Sequence, residues 1–465
     1  MPSALGDHVV IPPTEYPWLL DQTDDALNDT LNLNNELQAE ATIGEPFMVH
    51  SHTIRETITR CLTRNLATLV PQIYDELTAA VDEQWGTNTQ IWNEVNPFGT
   101  FLQVIARASN RVFVGLPLCR EEKFTTSALT YAATLFPCSI AIRHVPKPLR
   151  PVFSPLITLY NQHHRRVLQR FLQREIVQRL ERLNISAIDS EKASTPVESP
   201  NDFLQWLIEG AARSNDPLDR EPYILAQRLI ILQFTTMYPI SGTSTETLYD
   251  LISQPDSNSI IASIRDEVRT ILAANNGVWS KRAISQFTKI DSIIKESTRL
   301  APVVAFGSGR YVKAKDGLTT PLSKTYLPEG STVAIPSVAI HQDHTNYEEA
   351  DKYKPFRFAD QRHQKPEGTA EHDIVNNNPP GSTTTTRTPA VALATTSTKF
   401  TSFGHGRLAC PGRFFASDEM KMLFAYIIQN YDFQLLEKRP ERVWAGPFNV
   451  PPVFQKIRVR RRENA

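Results

Sequence analysis

The sequence predicts a mainly α-helical fold with small β-sheets, and three observations predict it. Apolar residues recur at helical spacing along most of the first three hundred positions. After Pro302 the texture changes to short strand-like runs around glycine turns. The composition, 33 Pro against 18 Gly with 41% hydrophobic and 21% charged residues, suits helices separated by stiff connections. It also excludes a chain disordered throughout. At 465 residues the chain is long enough for a substantial core. Its formal net charge of −1 gives no reason to expect a nucleic-acid partner.

Each element has its own signal. Asp7 to Ile11 reads as a short strand broken by Pro12-Pro13. Ile54, Ile58, Cys61, Leu62, Leu66, Leu69 and Val70 mark a helix over 53–70. Pro71 is expected to end or kink it, with a second piece running to Glu83. A helix over 101–113 stops at Gly115-Leu116-Pro117, and a long Arg- and Gln-rich helix covers 156–184. The polar run 186–200 reads as a surface loop, after which Asp202 caps a helix beginning at Phe203. Residues 224–252 form the longest apolar helical stretch, interrupted by Pro239 and Gly242. Helical pattern continues over 260–273 and 281–300. Arg310 to Val312 and Thr332 to Ile335 read as strands, with turns at Asp316-Gly317 and Glu329-Gly330. Residues 361–398, which include NNNPPGSTTTT, read as a flexible insertion outside the core. A last helix over 413–430 precedes a strand-like basic tail.

Cys61, Cys119, Cys138 and Cys410 are too few and too scattered for a disulfide framework, and they lack zinc spacing. Reduced thiols and an intracellular chain are therefore expected. No run of 18 apolar residues suggests a membrane-spanning helix, and the first twenty residues lack the pattern of a signal peptide.

The most informative segment is Phe403-Gly404-His405-Gly406-Arg407-Leu408-Ala409-Cys410-Pro411-Gly412-Arg413-Phe414-Phe415-Ala416. Glycines allow close backbone approach to a bulky planar ligand. Pro411 suits the first turn of the helix that follows. A cysteine at a helix N-terminus is favoured as thiolate, and a thiolate in a glycine-rich, aromatic-flanked loop is what a fifth ligand to haem iron requires. The loop resembles the haem-binding signature of cytochrome P450 enzymes, Phe-x-x-Gly-x-Arg-x-Cys-x-Gly, with Phe403, Gly406, Cys410 and Gly412 in register. Arg413-Phe414-Phe415-Ala416 is similar to filamentous-fungal members. The usual basic residue two before the cysteine is Leu408 here, and Arg407 is the nearest substitute.

Other segments carry the same resemblance. Glu296-Ser297-Thr298-Arg299 and Pro355-Phe356-Arg357-Phe358 stand in the order of the family's Glu-x-x-Arg and Pro-x-Arg-Phe elements. The resemblance implies that Glu296, Arg299 and Arg357 form a structural network beneath the haem loop. Arg310 matches a position where the family often places a base near a haem propionate. Arg55, Arg60 and Arg64 are alternatives for another such contact. LTRNL at 62–66, IARASNRVFVGLPLCR at 105–120 and PSVAIHQD at 336–343 are also similar to fungal members.

The long helix departs from the family. By register from Leu248-Tyr249-Asp250-Leu251, Tyr238 stands where relatives carry an acid or histidine, and Pro239 where they carry the threonine that assists proton delivery to dioxygen. Pro239 frees the carbonyl of Thr235. Thr235, Thr236 and Ser241 are then the candidate hydroxyls. Either the proline recreates the family's helix distortion by another means, or it is a neutral kink. The resemblance also implies an anchor, a hinge and a first strand that would precede this chain.

The resemblance implies a single P450 domain over 1–465 that binds haem b between the long helix and the Cys410 loop. It implies a monooxygenase that takes electrons from NADPH-cytochrome P450 reductase and uses dioxygen to oxidise a small lipophilic substrate. Fungal secondary metabolism is the implied setting, with relatives anchored to the endoplasmic reticulum. Two alternatives stand: a rearrangement, cyclisation or peroxide-driven reaction, and a non-catalytic haem binder.

Overall fold

Helical periodicity becomes helix over most of the predicted segments, and the interior prolines Pro71 and Pro239 do not bound their helices. The computed structural model describes residues 8–44, 52–189, 199–363 and 391–463. The chain divides into two compact units. One comprises Met1–Asn32, Leu66–Val104 and Pro239–Ala465, the other Leu33–Asn65 and Ile105–Tyr238.

In the first unit, strand His8–Val10 pairs in parallel with Thr332–Pro336. Thr332–Pro336 pairs antiparallel with Phe306–Val312, which pairs with Leu27–Asn28. Tyr16, Leu19, Leu27, Val312, Val333 and Ile335 fill one cluster against this sheet. The register slips between Gly307 and Arg310, so the strand bulges there. Ser308 sits at φ 51°, and a Cβ on Gly307 would lie 2.3 Å from the Ser337 hydroxyl. A side chain there would force the Ser337 hydroxyl to move, and the bulge re-aims the residues after it.

The interior of this unit is the Thr288–Leu300 helix, every residue of which is buried from Ile290 onward. A helix buried all round must find partners for each charge it carries. The expected 281–300 helix is in fact two, Lys281–Gln286 and Thr288–Leu300, joined at Phe287. Helix Arg413–Asn430 has the expected bounds, but Pro411 precedes its Gly412 N-cap instead of occupying the first turn.

Two further expectations are corrected. Pro71 neither ends nor breaks its helix, which runs Thr63–Trp85 after a π-helical turn at Ile58–Leu62. An interior proline loses one ladder bond and crowds the carbonyl four residues back, here that of Ala67, and the burial of Leu69, Val70 and Ile73 around it offsets that cost. The low-complexity segment is not wholly outside the core. Arg357–His363 is helical, 364–390 lies outside the described residues, and Leu393 and Thr396 are buried. The Leu393 amide donates to the Asp291 carboxylate at 2.8 Å, and Lys295 donates to the Ala392 carbonyl at 2.9 Å. Hydrogen bonds to buried charges fix the end of this segment.

In the second unit, helices Glu122–His144 and Arg150–Asp189 pack together, with Asn161 donating to the Tyr131 carbonyl and the Thr134 hydroxyl. The Asp202 side chain accepts from the Gln205 amide as the expected cap of Phe203–Ala212, and Arg179 binds both of its oxygens. Among the described residues one helix, Glu122–His144, is long and apolar enough to cross a membrane by composition. Its buried residues, from Phe124 through Ala128, Tyr131 and Leu135 to Ile142, form one stripe, the signature of a helix packed on one side.

Candidate active site

The Cys410 loop is closed on itself and docked on the buried helices beneath it. The Cys410 amide donates to the Phe403 carbonyl at 2.7 Å. Gly404 and Gly406 take φ of 65° and 67°, where a side chain is strained, whereas Gly412 has an ordinary negative φ. The Thr401 amide donates to Nε2 of His341 at 2.9 Å, and Nδ1 of His341 lies 3.1 Å from the Arg299 carbonyl. That pair fixes the imidazole as a neutral Nδ1–H tautomer, and burial pushes its pKa down to about 3.

His341 leads to the charge network. The Glu296 carboxylate accepts from Arg299 at 2.9 and 2.8 Å and from Arg357 Nε at 3.0 and 3.1 Å. It also accepts the Lys354 amide at 3.1 Å. The remaining guanidinium donors go to carbonyls: Arg299 to His341 and Ala350, Arg357 to Glu348 and Glu349. Glu296 and Arg299 are fully buried and Arg357 nearly so. The three residues paired by order in the sequence thus meet, with both arginines bracketing one carboxylate.

Cys410 lines a cavity of about 230 Å³ together with Leu20, Asp29, Ser308, Gly309, Arg310, Phe403, Gly404, His405 and Leu408. Cys119 and Cys138 are buried elsewhere, and Cys61 belongs to the second unit. Arg310 is 1% exposed; it donates a long bond to the Gln22 carbonyl, 3.4 Å, and its Nε has no partner among the described residues. Burial and the neighbouring Arg407 lower its pKa, against the pull of Asp29 and Asp24. A buried guanidinium with an unmet donor, facing a cavity, calls for an anion. The thiol, the apolar Phe403, Leu20 and Leu408, and this donor together fit a planar apolar macrocycle that carries carboxylates. Arg407 is half exposed and donates to the Gln22 carbonyl and Asp24.

The long-helix candidates are placed differently. Helix Pro222–Ile252 runs unbroken through Pro239. Thr235 donates to the Ile231 and Leu232 carbonyls, and Thr236 to Leu232 at 2.7 Å. Tyr238 is half-buried, and burial pushes its pKa up to about 12. Ser241 is buried, and its hydroxyl has no partner among the described residues. Pro239 and Ser241, which share a unit with Cys410, are not in the wall of its cavity. Of the three alternative arginines, Arg60 lines a separate cleft with Cys61, Trp206 and Arg213 and pairs with Glu56.

Sequence reasoning missed Ser308, Asp29 and His341. Gly307-Ser308-Gly309 inside a strand was a legible bulge signal. His341 lay inside a segment whose resemblance had been noted, and Asp29 had no signal at all.

This helix-rich fold with a cysteine loop docked on a Glu-Arg-Arg network defines a haem-thiolate oxygenase architecture, and the comparisons agree. The cytochrome P450 family profile matches residues 48–452. Cytochrome P450 monooxygenase gloP of Glarea lozoyensis is 31% identical over 98% of this chain and 82% of its own length. Monooxygenase htyF of Aspergillus rugulosus is 31% identical over 95% of this chain and 63% of its own length. Monooxygenase 151 of Postia placenta is 32% identical over 92% and 79%. Retinoic acid-bound cyanobacterial CYP120A1 shares the fold, with TM-score 0.67 and 18% identity over 97% of this chain and 88% of that one. The chain belongs to the cytochrome P450 family and is a haem-thiolate monooxygenase.

Proposed function

We propose that this chain binds haem b through the Cys410 thiolate and oxidises a small lipophilic substrate in fungal secondary metabolism. Electrons would come from NADPH-cytochrome P450 reductase at the endoplasmic reticulum. The single observation that carries the reading is Cys410 and the unsatisfied Arg310 in the wall of one apolar-lined cavity. Retinoic acid, held by the cyanobacterial neighbour, is itself a small lipophilic molecule.

When bound, thiolate-ligated haem supplies dioxygen activation. The chain's residues do the rest. Arg310, on the strand that bulges between Gly307 and Arg310, would hold a propionate. Phe403, Leu20 and Leu408 would line the apolar part of the cavity and exclude water from it. The Glu296–Arg299–Arg357 network and His341 hold the loop that carries Cys410 and do not touch substrate. Thr235, Thr236 and Ser241 remain the hydroxyls proposed to hold or pass a proton, beside the Thr235 carbonyl that Pro239 leaves without its helical donor.

A second reading, a rearrangement or peroxide-driven reaction, is favoured by Pro239 itself and by threonines turned back onto their own helix. A reduced carbon-monoxide difference spectrum of the purified chain tests the haem-thiolate assignment. Product analysis with and without reductase separates the two reactions. Substrate turnover independent of reductase would sink the first.

A further inference from the structure

The second unit holds a cleft that takes no part in the chemistry of the Cys410 loop. It encloses about 550 Å³, against about 230 Å³ for the cavity beside Cys410, and shares no lining residue with it. One wall belongs to the helical run that leads into Thr63–Trp85, the other to helix Phe203–Ala212 and the turn after it. Asp219 ties the walls together. It is 6% exposed, and its carboxylate accepts from the Thr53 hydroxyl at 2.9 Å, from the Ser214 hydroxyl at 2.6 Å and from Arg228. That charge is therefore satisfied inside the protein.

The groups left over at the cleft are few and of both signs. Trp206 is 8% exposed, and its indole N–H, which can only donate, has no partner among the described residues. Arg213 is exposed, and its guanidinium has no hydrogen-bond partner among the described residues. Three residues on, Asp216 uses one carboxylate oxygen to accept the Leu218 amide at 2.9 Å and has no bond to the other. Arg60 and Glu56 pair with each other one turn apart. Cys61 is half-buried, and burial raises its thiol pKa against the pull of Arg213.

A buried donor without a partner calls for an acceptor. Charge decides which kind. With Asp219 matched by Arg228 and Glu56 by Arg60, one cation and one anion remain, Arg213 and Asp216, close together in the chain. A simple anion would meet Asp216, and a simple cation would meet Arg213. A molecule carrying a carboxylate and an ammonium on neighbouring atoms satisfies both, and an apolar ring suits the indole and thiol of the wall.

We infer that this cleft is a second binding site, for a zwitterionic α-amino acid with an aromatic side chain. The carboxylate goes to Arg213 and the Trp206 N–H, the ammonium to Asp216, and the ring to the wall formed by Trp206, Gly210 and Cys61. Binding there is independent of the reaction at the Cys410 loop.

Cys61 supplies the reporter, because its thiol lines the cleft. The haem-loaded full chain is treated with N-ethylmaleimide, and the rate of Cys61 alkylation is followed by mass spectrometry of its peptide. Phenylalanine at millimolar concentration is expected to slow that rate by about fivefold or more. N-acetylphenylalanine lacks the ammonium and phenylalanine amide lacks the carboxylate, so each should need about tenfold more to protect. Arg213→Gln should weaken protection by phenylalanine about tenfold and leave the weak effect of the amide as it was. Asp216→Asn, which keeps an oxygen for the Leu218 amide, should weaken phenylalanine and leave N-acetylphenylalanine as it was. Both side chains lie outside the core, so the circular dichroism of each variant should match that of the natural chain. No protection by phenylalanine, equal protection by all three probes, or no response to Arg213→Gln would overturn the inference. A response to Arg213→Gln with none to Asp216→Asn would overturn the zwitterion and leave a site for a simple carboxylate.

Discussion

Helices Thr288–Leu300 and Pro222–Ile252 are both buried and both carry polar side chains, yet only the first could be read from sequence order. In the first, Glu296 and Arg299 are fully buried charges, and desolvation admits one solution: complete pairing, with Arg357 closing the carboxylate. In the second, a threonine hydroxyl is satisfied by its own helix carbonyl, as Thr235 and Thr236 are. Nothing compels such a hydroxyl to face a reacting atom. Groups that cost most when unpaired are therefore the groups whose geometry a sequence encodes.

The largest effect should come from the cysteine of the loop that is docked beside the first helix. Cys410→Ala is expected to abolish the thiolate-type carbon-monoxide spectrum, with Cys61→Ala, Cys119→Ala and Cys138→Ala leaving it in place. A spectrum that survived at Cys410→Ala would detach the loop from the chemistry.

Next is Glu296→Ala, which leaves two buried guanidiniums without their shared carboxylate. Breaking a buried pair in this way costs about 3–5 kcal/mol. Chemical unfolding and the yield of soluble, haem-loaded protein measure it. A loss below about 1 kcal/mol would place this network among surface ion pairs and remove the contrast between the helices.

The loop and the last helix were legible from their glycines and helical periodicity, and the network through its resemblance to the family's order of Glu-x-x-Arg and Pro-x-Arg-Phe elements. The segment 391–398 was not, since its composition is that of a loop and the groups that hold it include Asp291 and Lys295, far away in sequence. Arg310 was placed by resemblance, but its unmet Nε is a matter of three-dimensional surroundings that no sequence pattern records. The π-helical turn at Ile58–Leu62 left no mark in an otherwise regular periodicity.

A smaller effect tests the link between network and loop. His341 is buried neutral, with its pKa pushed down to about 3 from the usual value near 6.5. The unfolded chain therefore binds a proton that the folded chain refuses. The stabilisation is complete above about pH 6.5 and falls as pH drops toward 3, by up to about 1.4 kcal/mol per pH unit. Unfolding titrations of the natural chain and of His341→Gln should differ in slope over that window. Parallel slopes would mean that His341 does not couple the Arg299 carbonyl to the Thr401 amide.

The smallest expected effect on stability is at Pro239, and it bears most directly on the second helix. Pro239→Thr restores an N–H that can reach the Thr235 carbonyl, a bond worth about 0.5–1.5 kcal/mol. It also adds a hydroxyl at the family's proton-delivery position, where general acid–base assistance typically contributes about 10²–10⁴-fold in rate. The helix already runs unbroken through this position, so the substitution should be tolerated. Stability should rise by about 1 kcal/mol or less, and the fraction of consumed NADPH that appears as product should change by several-fold. If stability rises while coupling, rate and products stay the same, Pro239 is a packing residue and the proton travels by a route that this helix does not carry. If coupling shifts, this position takes part in proton delivery, and Pro239→Ala, which restores the N–H without the hydroxyl, separates the Thr235 carbonyl from the added hydroxyl as the cause.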